Sequence, residues 1–102
     1  MLTSKQRAFL RSLSVNIDTI LIVGKNGINE EVIHQAREAL AKRELIKGKV
    51  LIETSPLSVR ETAEKLAEAT KSELVQVIGS KFCLYKHNHK EPKILLPKSS
   101  KK

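Results

Sequence analysis

The chain of 102 residues has one cysteine, no tryptophan and only three aromatic side chains, Phe9, Phe82 and Tyr85. A single cysteine excludes an intrachain disulfide framework and a thiolate-rich zinc site. Cys83 sits in the apolar run Phe82-Cys83-Leu84-Tyr85 and reads as a small buried hydrophobe. So few aromatics exclude the stacking platform on which RRM and OB-fold domains lay splayed bases. No apolar run approaches the roughly 20 residues that span a bilayer. The opening Met1-Leu2-Thr3-Ser4-Lys5-Gln6-Arg7 lacks the apolar core and cleavage site of a signal peptide, so a cytoplasmic location is expected. Internal repeats are absent. Acidic residues are also scarce, 11 against 19 lysines and arginines, for a net charge of +8.

What is present suits one modest globular domain. The length matches the commonest domain size. Hydrophobic residues at 40% and charged residues at 29% exclude a disordered chain. A small domain this basic is expected to meet a polyanion, either nucleic acid or an anionic membrane surface.

Capping and periodicity place the elements. Thr3-Ser4-Lys5-Gln6 spells a capping box, and Phe9, Leu10 and Leu13 follow at helical spacing. A helix is expected over residues 4–12, with Lys5, Arg7 and Arg11 on its exposed face. The β-branched run at residues 19–23 predicts a strand buried on both faces, hence central or parallel. Asn29 suits an N-cap, Glu30 and Glu31 suit the positive end of a helix dipole, and Val32, Ile33, Ala36 and Leu40 form a stripe. That helix should end near residue 44. Residues 45–53 read as a second strand, with Ile46, Gly48, Val50 and Ile52 on one face. A glycine on the core face predicts close approach by a helix.

Ser58-Val59-Arg60-Glu61 is a second capping box, and its helix should end near residue 71. Residues 74–78 read as a third strand. Gly79-Ser80-Lys81 is a tight turn, and residues 82–86 return as a hairpin. The core is expected to hold Ile20, Ile22, Val32, Ile33, Leu40, Val50, Leu66, Val77 and Phe82. In the basic tail, residues 93–97 should lie extended against the domain with Ile94 or Leu96 partly buried, and residues 99–102 should be disordered. Residues 1–98 thus form a single domain. The order α-β-α-β-α-β-β predicts an α/β, two-layer fold with a four-stranded mixed sheet. Two β-α-β units imply right-handed crossovers, with both helices on one face if the crossovers step in the same direction.

The segment that carries chemistry is Ile22-Val23-Gly24-Lys25-Asn26-Gly27-Ile28-Asn29. It reads as a strand, a Gly-x-x-Gly turn and a helix start. Two glycines permit positive φ and expose backbone N–H groups, which can form an anion-binding nest. A helix N-terminus adds its dipole and Lys25 adds a full charge, so the segment reads as a phosphate grip. The same pattern also makes an ordinary turn. The third glycine of a dinucleotide fingerprint is missing, and Asn26 stands where a P-loop needs Ser or Thr. KH domains clamp RNA backbone with a Gly-x-x-Gly loop, but there the loop joins two helices.

Three segments together resemble the YhbY-like CRM domain, the chloroplast RNA splicing and ribosome maturation family. They are Gly24-Lys25-Asn26-Gly27, then Glu44-Leu45-Ile46-Lys47-Gly48-Lys49-Val50, then Val75-Gln76-Val77-Ile78-Gly79 running into Leu84-Tyr85-Lys86. The ends, residues 2–7 and 93–97, also look like the family's ends. At Gly48 the family pattern leads one to expect a β-branched residue. The resemblance implies a fold like the C-terminal domain of the third bacterial translation initiation factor, with strand order 1-2-4-3. It also implies RNA contact at the Gly-x-x-Gly loop and association with precursors of the large ribosomal subunit.

Catalysis finds no support. His34 lies on a helix flank, and His87-Asn88-His89 is too compact for an HNH nuclease. No Ser-His-Asp order or carboxylate pair stands out, and no cofactor, metal or small-molecule substrate is expected. The expected function is RNA binding in assembly of the large ribosomal subunit, by a monomer with no membrane partner. The expected RNA-binding residues are Gly24, Lys25, Asn26, Gly27 and Asn29. Lys47, Lys49 and Lys86 join them as a basic strip on the open sheet face, where an ordinary solvated face is the alternative. The competing function is a basic protein-interaction or membrane-surface adaptor that docks through residues 93–98.

Overall fold

Three side-chain caps set the helix starts. Thr3 Oγ1 accepts from the Gln6 N–H, and Gln6 Oε1 accepts from the Thr3 N–H, both at 3.1 Å. They open α1 (Ser4–Ser14). Asn29 Oδ1 accepts from the Val32 N–H at 2.9 Å and opens α2 (Glu30–Arg43). Ser58 and Glu61 close the second capping box and open α3 (Val59–Thr70). Each cap satisfies donors that a helix leaves without an internal partner. Helix α1 outlasts its expected end because Ser14 is buried. Its Oγ donates to the Arg11 carbonyl at 2.7 Å and accepts from Gln76 Nε2 at 3.1 Å.

The computed structural model describes residues 2–87 and residue 94. The strands are β1 (Thr19–Val23), β2 (Leu45–Val50), β3 (Glu73–Ile78) and β4 (Lys81–Tyr85). They form one four-stranded mixed sheet ordered β1-β2-β4-β3. β1 runs parallel to β2, and β4 runs antiparallel to both β2 and β3. Both crossovers step the same way, so α2 and α3 share one face, as expected. Between them and the sheet lies the main core of Leu21, Val23, Leu40, Ile46, Val50, Leu66, Phe82 and Leu84.

Helix α1 lies across the opposite face, so half of the sheet is sandwiched in three layers rather than two. Its Leu10 meets Leu45, Val75, Cys83 and Tyr85 in a second, smaller core, and Cys83 is buried there as expected. β1 departs from its expected burial. It is an edge strand covered on one face only, with Leu21 and Val23 buried and Ile20 and Ile22 exposed. The cause is the reach of α1, which packs on β2 and β3 and leaves the outer face of β1 open. Val32, Ile33 and Val77 pack at the margin of the main core, half-buried.

Gly48 answers a close approach, but by a ring rather than a helix. A Cβ at this position would stand 2.4 Å from Phe82 Cζ, on the strand paired directly opposite. Three cations that look like surface charge in the sequence cap backbone carbonyls instead. Arg7 Nη1 donates to the Leu74 carbonyl beside the β3 bulge. Arg37 Nη2 and Lys86 Nζ donate to the Ala69 and Thr70 carbonyls at 3.1 and 3.2 Å. These close the C-terminus of α3, which has no basic residue in its own last turn.

The end of α2 anchors the tail. Glu44 is fully buried, and its Oε1 accepts from the Ile94 N–H at 2.7 Å while Oε2 lies 3.5 Å from His87 Nδ1. Ile94 packs on the second core, as expected of the docking segment. The rest of that segment and the expected disordered end, residues 99–102, lie outside the described residues.

Burial, reinforced by the nearby Glu44 carboxylate, pushes the Tyr85 hydroxyl above its ordinary pKa of 10.0. The neutral phenol is therefore favoured by folding. Its contribution is complete below about pH 10 and is lost as pH rises through the raised value. Urea unfolding at about pH 9 and about pH 11 should show wild type losing more stability than Tyr85→Phe over that interval. Equal losses would show that the phenol does not sense its burial.

Candidate nucleic-acid interface

The Gly-x-x-Gly segment leaves the carboxyl end of β1 as a single turn. The Gly27 N–H donates to the Gly24 carbonyl at 3.0 Å, which sets Lys25 and Asn26 at an exposed tip. The two glycines differ in role. Gly27 is buried with φ of 64°, the left-handed region that glycine tolerates best. Gly24 is not at positive φ, contrary to expectation. A Cβ there would meet Leu51 Cδ1 at an ordinary 3.5 Å. One left-handed residue is enough to turn the chain from the strand into the Asn29 cap.

The loop following β2 packs beside this turn. A Cβ on Gly27 would lie 3.1 Å from Pro56 Cγ. Parallel β1 and β2 therefore present their β–α loops, and the starts of α2 and α3, at one end of the sheet. A shallow cleft runs from the turn along α2, lined by Ile22, Lys25, Asn29, Val32 and Gln35 among others.

Charge at this end decides which group could hold an anion. A helix N-terminus carries about half a positive charge. Glu30 and Glu31 in the first turn place two formal negatives against it. The dipole is therefore outweighed, and attraction rests on Lys25 and on backbone N–H groups. Among the described residues, no hydrogen bond within the chain engages the N–H of Lys25 or Asn26. Asn29 Oδ1 is committed to the cap, which leaves its side-chain amide N–H groups outside that bond at the cleft lining.

The basic strip is only partly assembled. Lys47 and Lys49 do point to the sheet face opposite α2 and α3, because they alternate along β2 with Ile46 and Val50, which face the main core. Lys86 does not join them. It follows β4 at the far end of the sheet, with Nζ on the Thr70 carbonyl. Lys81 takes the place expected of Lys86, since it pairs directly with Lys49. In the sequence reading Lys81 falls in the turn, one residue before the expected strand, whereas β4 begins at Lys81, and the β2–β4 pairing that brings the two lysines together is long-range.

Among the described residues no His, Cys, Asp and Glu cluster could hold a metal. No helix among them is long and apolar enough to cross a membrane.

These features define an α/β domain in which an exposed Gly-x-x-Gly turn joins a parallel strand to a capped helix. The CRS1 / YhbY (CRM) domain matches residues 2–86, and the chain belongs to that family. It is 43% identical to the Bacillus subtilis protein named probable RNA-binding protein YqeI, over 95% of this chain and all of the relative. It is 36% identical to a Haemophilus influenzae protein named RNA-binding protein, over 95% of this chain and 96% of that one. The solution structure of SAV1595 from Staphylococcus aureus superposes with a TM-score of 0.77 at 49% identity, covering 95% of this chain and all of that one.

Proposed function

We propose that this protein is a non-enzymatic RNA-binding module of the cytoplasm that associates, as a monomer, with ribosomal RNA in precursors of the large subunit and aids its assembly. The observation that carries the reading is the turn of residues 24–27. Its exposed tip offers backbone N–H groups and Lys25 together, at the end of the sheet where two β–α loops meet. Family membership and relatives named for RNA binding support the class of partner. The ribosomal assignment rests on the family resemblance. The adaptor reading is weakened by Ile94, which packs on the domain's own second core instead of standing out as a docking peptide.

Lys25→Ala should weaken binding to structured RNA across sequences and flatten the dependence of log K on log salt by about one unit, as for one lost phosphate contact. Fluorescence anisotropy over a salt series checks this. An unchanged slope in a folded variant removes the loop from the RNA site. Sedimentation of the protein with large-subunit precursors through a sucrose gradient tests the ribosomal assignment. Migration with free protein alone would sink it.

A further inference from the structure

The open corner of the sheet carries a row of side chains that the loop does not use. Ile22 of β1 pairs with Lys49 of β2, Lys49 with Lys81 of β4, and Lys81 with Ile78 of β3. All four share one face, because the preceding row, Leu21, Gly48, Phe82 and Val77, faces the main core. Helix α1 covers the other end of this face, on Leu45, Val75, Cys83 and Tyr85, and stops short of the row. Ile22 is 57% exposed and Ile78 is 64% exposed.

Two features of the row are unfavourable for an isolated domain. Like charges directly opposite one another on neighbouring strands destabilise a sheet, and Lys49 faces Lys81. Two large aliphatic side chains are left in water at its ends. An anion between the lysines reverses the first cost, and apolar surface laid on the isoleucines reverses the second. The row and the one beside it (Thr19, Lys47, Cys83 and Gln76) contain no acidic residue.

We propose that this row is a second contact surface for the same RNA and takes a single-stranded segment. A phosphate lies between Lys49 and Lys81, and base faces lie on Ile22 and Ile78. The inference rests on the RNA-binding reading of the loop. Ile22 also lines the cleft beside residues 24–27, which Glu31 lines as well, so the row adjoins the loop at this residue. Four strands span about 14 Å at ~4.8 Å per step. Other four-stranded RNA-binding sheets hold about two or three bases. A duplex keeps its base faces stacked inside and has nothing to lay on isoleucine. A second copy of this chain is disfavoured, since two lysine rows would face each other at a net charge of +8 each. An anionic bilayer is a poor match, because the isoleucines are separated by the lysines and form no continuous face to insert.

The test uses the full chain, a short labelled oligouridylate strand, and a hairpin RNA as the duplex probe. Lys49→Ala/Lys81→Ala should lower the salt slope for the single strand by about 0.7 units, as expected for one lost phosphate contact on a single strand. It should leave hairpin binding much closer to wild type. Ile78→Ala should weaken single-strand binding about five- to tenfold with no change in slope. Because the double variant removes a like-charge pair, it should melt no lower than wild type, which guards against a folding artefact. If the double variant leaves the single-strand slope unchanged while Lys25→Ala lowers it, the row is overturned and the loop reading stands. If no variant changes RNA binding, the RNA reading itself fails. Loss of binding to phosphatidylglycerol vesicles, without any effect on RNA, would overturn the row as an RNA surface and assign it to membranes.

Discussion

Gly48→Val is expected to destabilise the domain by about 3 kcal/mol, at the upper end of the cost of overpacking a core. For a domain of this size that lowers Tm by roughly 10–20 °C. The sign is not obvious from local preference. Valine favours a strand over glycine, by up to about 1 kcal/mol. Against this stands the Phe82 ring, with three carbon atoms within 2.4–2.9 Å of where a Cβ would sit. The ring is fully buried in the main core, in the same cluster as Leu66 and Leu84, so any movement away from a new Cβ disturbs that packing. Removing the ring should therefore reverse the effect. Gly48→Val on a Phe82→Leu background should be neutral or stabilising, giving a strong coupling in a double-mutant cycle. Thermal melts of the four proteins decide it. Additive losses would mean that the glycine serves something other than the ring. The β-branched residue expected from the family pattern at this position is thus incompatible with a phenylalanine across the ladder.

Gly27→Val is expected to impair RNA binding more than Lys25→Ala does, by about ten- to a hundredfold, the worth of a charge-assisted hydrogen bond to phosphate. Two separate costs act at this residue. A β-branched side chain at φ of 64° is strained by about 1–3 kcal/mol. Its Cβ would also press on the Pro56 ring at 3.1 Å. Gly27→Asn separates them, because asparagine tolerates the left-handed region and still carries a Cβ. If the backbone conformation governs the site, Gly27→Asn keeps most of the affinity and Gly27→Val loses it. Equal losses would place the fault in the packing of the turn on Pro56. Gly24→Ala is the control. Gly24 has neither a positive φ nor a crowded Cβ, so both the melt and the affinity should stay near wild type.

Most of the local structure was legible because it is written in short-range chemistry. The capping boxes at Thr3 and Ser58 and the Asn29 cap mark the three helix starts, since a cap needs only residues within one turn. The Gly79-Ser80 turn places β3 and β4 as a hairpin for the same reason. The Gly-x-x-Gly turn was visible, although only one of its glycines is required by φ. The α-β-α-β-α-β-β order implied parallel β-α-β units, whereas the shared face of the two crossover helices follows from the strand order, in which both crossovers step the same way.

What tertiary structure decided depends on contacts between residues distant in sequence. A run of five apolar or β-branched residues in β1 does not say whether a second layer lies over it. The answer depends on where α1 lands, and α1 packs on β2 and β3 instead. The periodicity of β2 placed Gly48 on the core face but could not name the Phe82 ring that fills its space. Lys47 and Lys49 were readable as one face of a strand, whereas Lys86 and Lys81 exchange roles through the register of β4 against β2, where a shift of one residue would reverse every side chain. The basic residues sort themselves in the same way. Arg7, Arg37 and Lys86 look like surface charge in the sequence but close carbonyls of β3 and α3, while Lys25, Lys49 and Lys81 are left pointing outward. Charge and local conformation are properties of the chain, but which charges are spent on the fold and which remain for a partner is settled only when the strands pair.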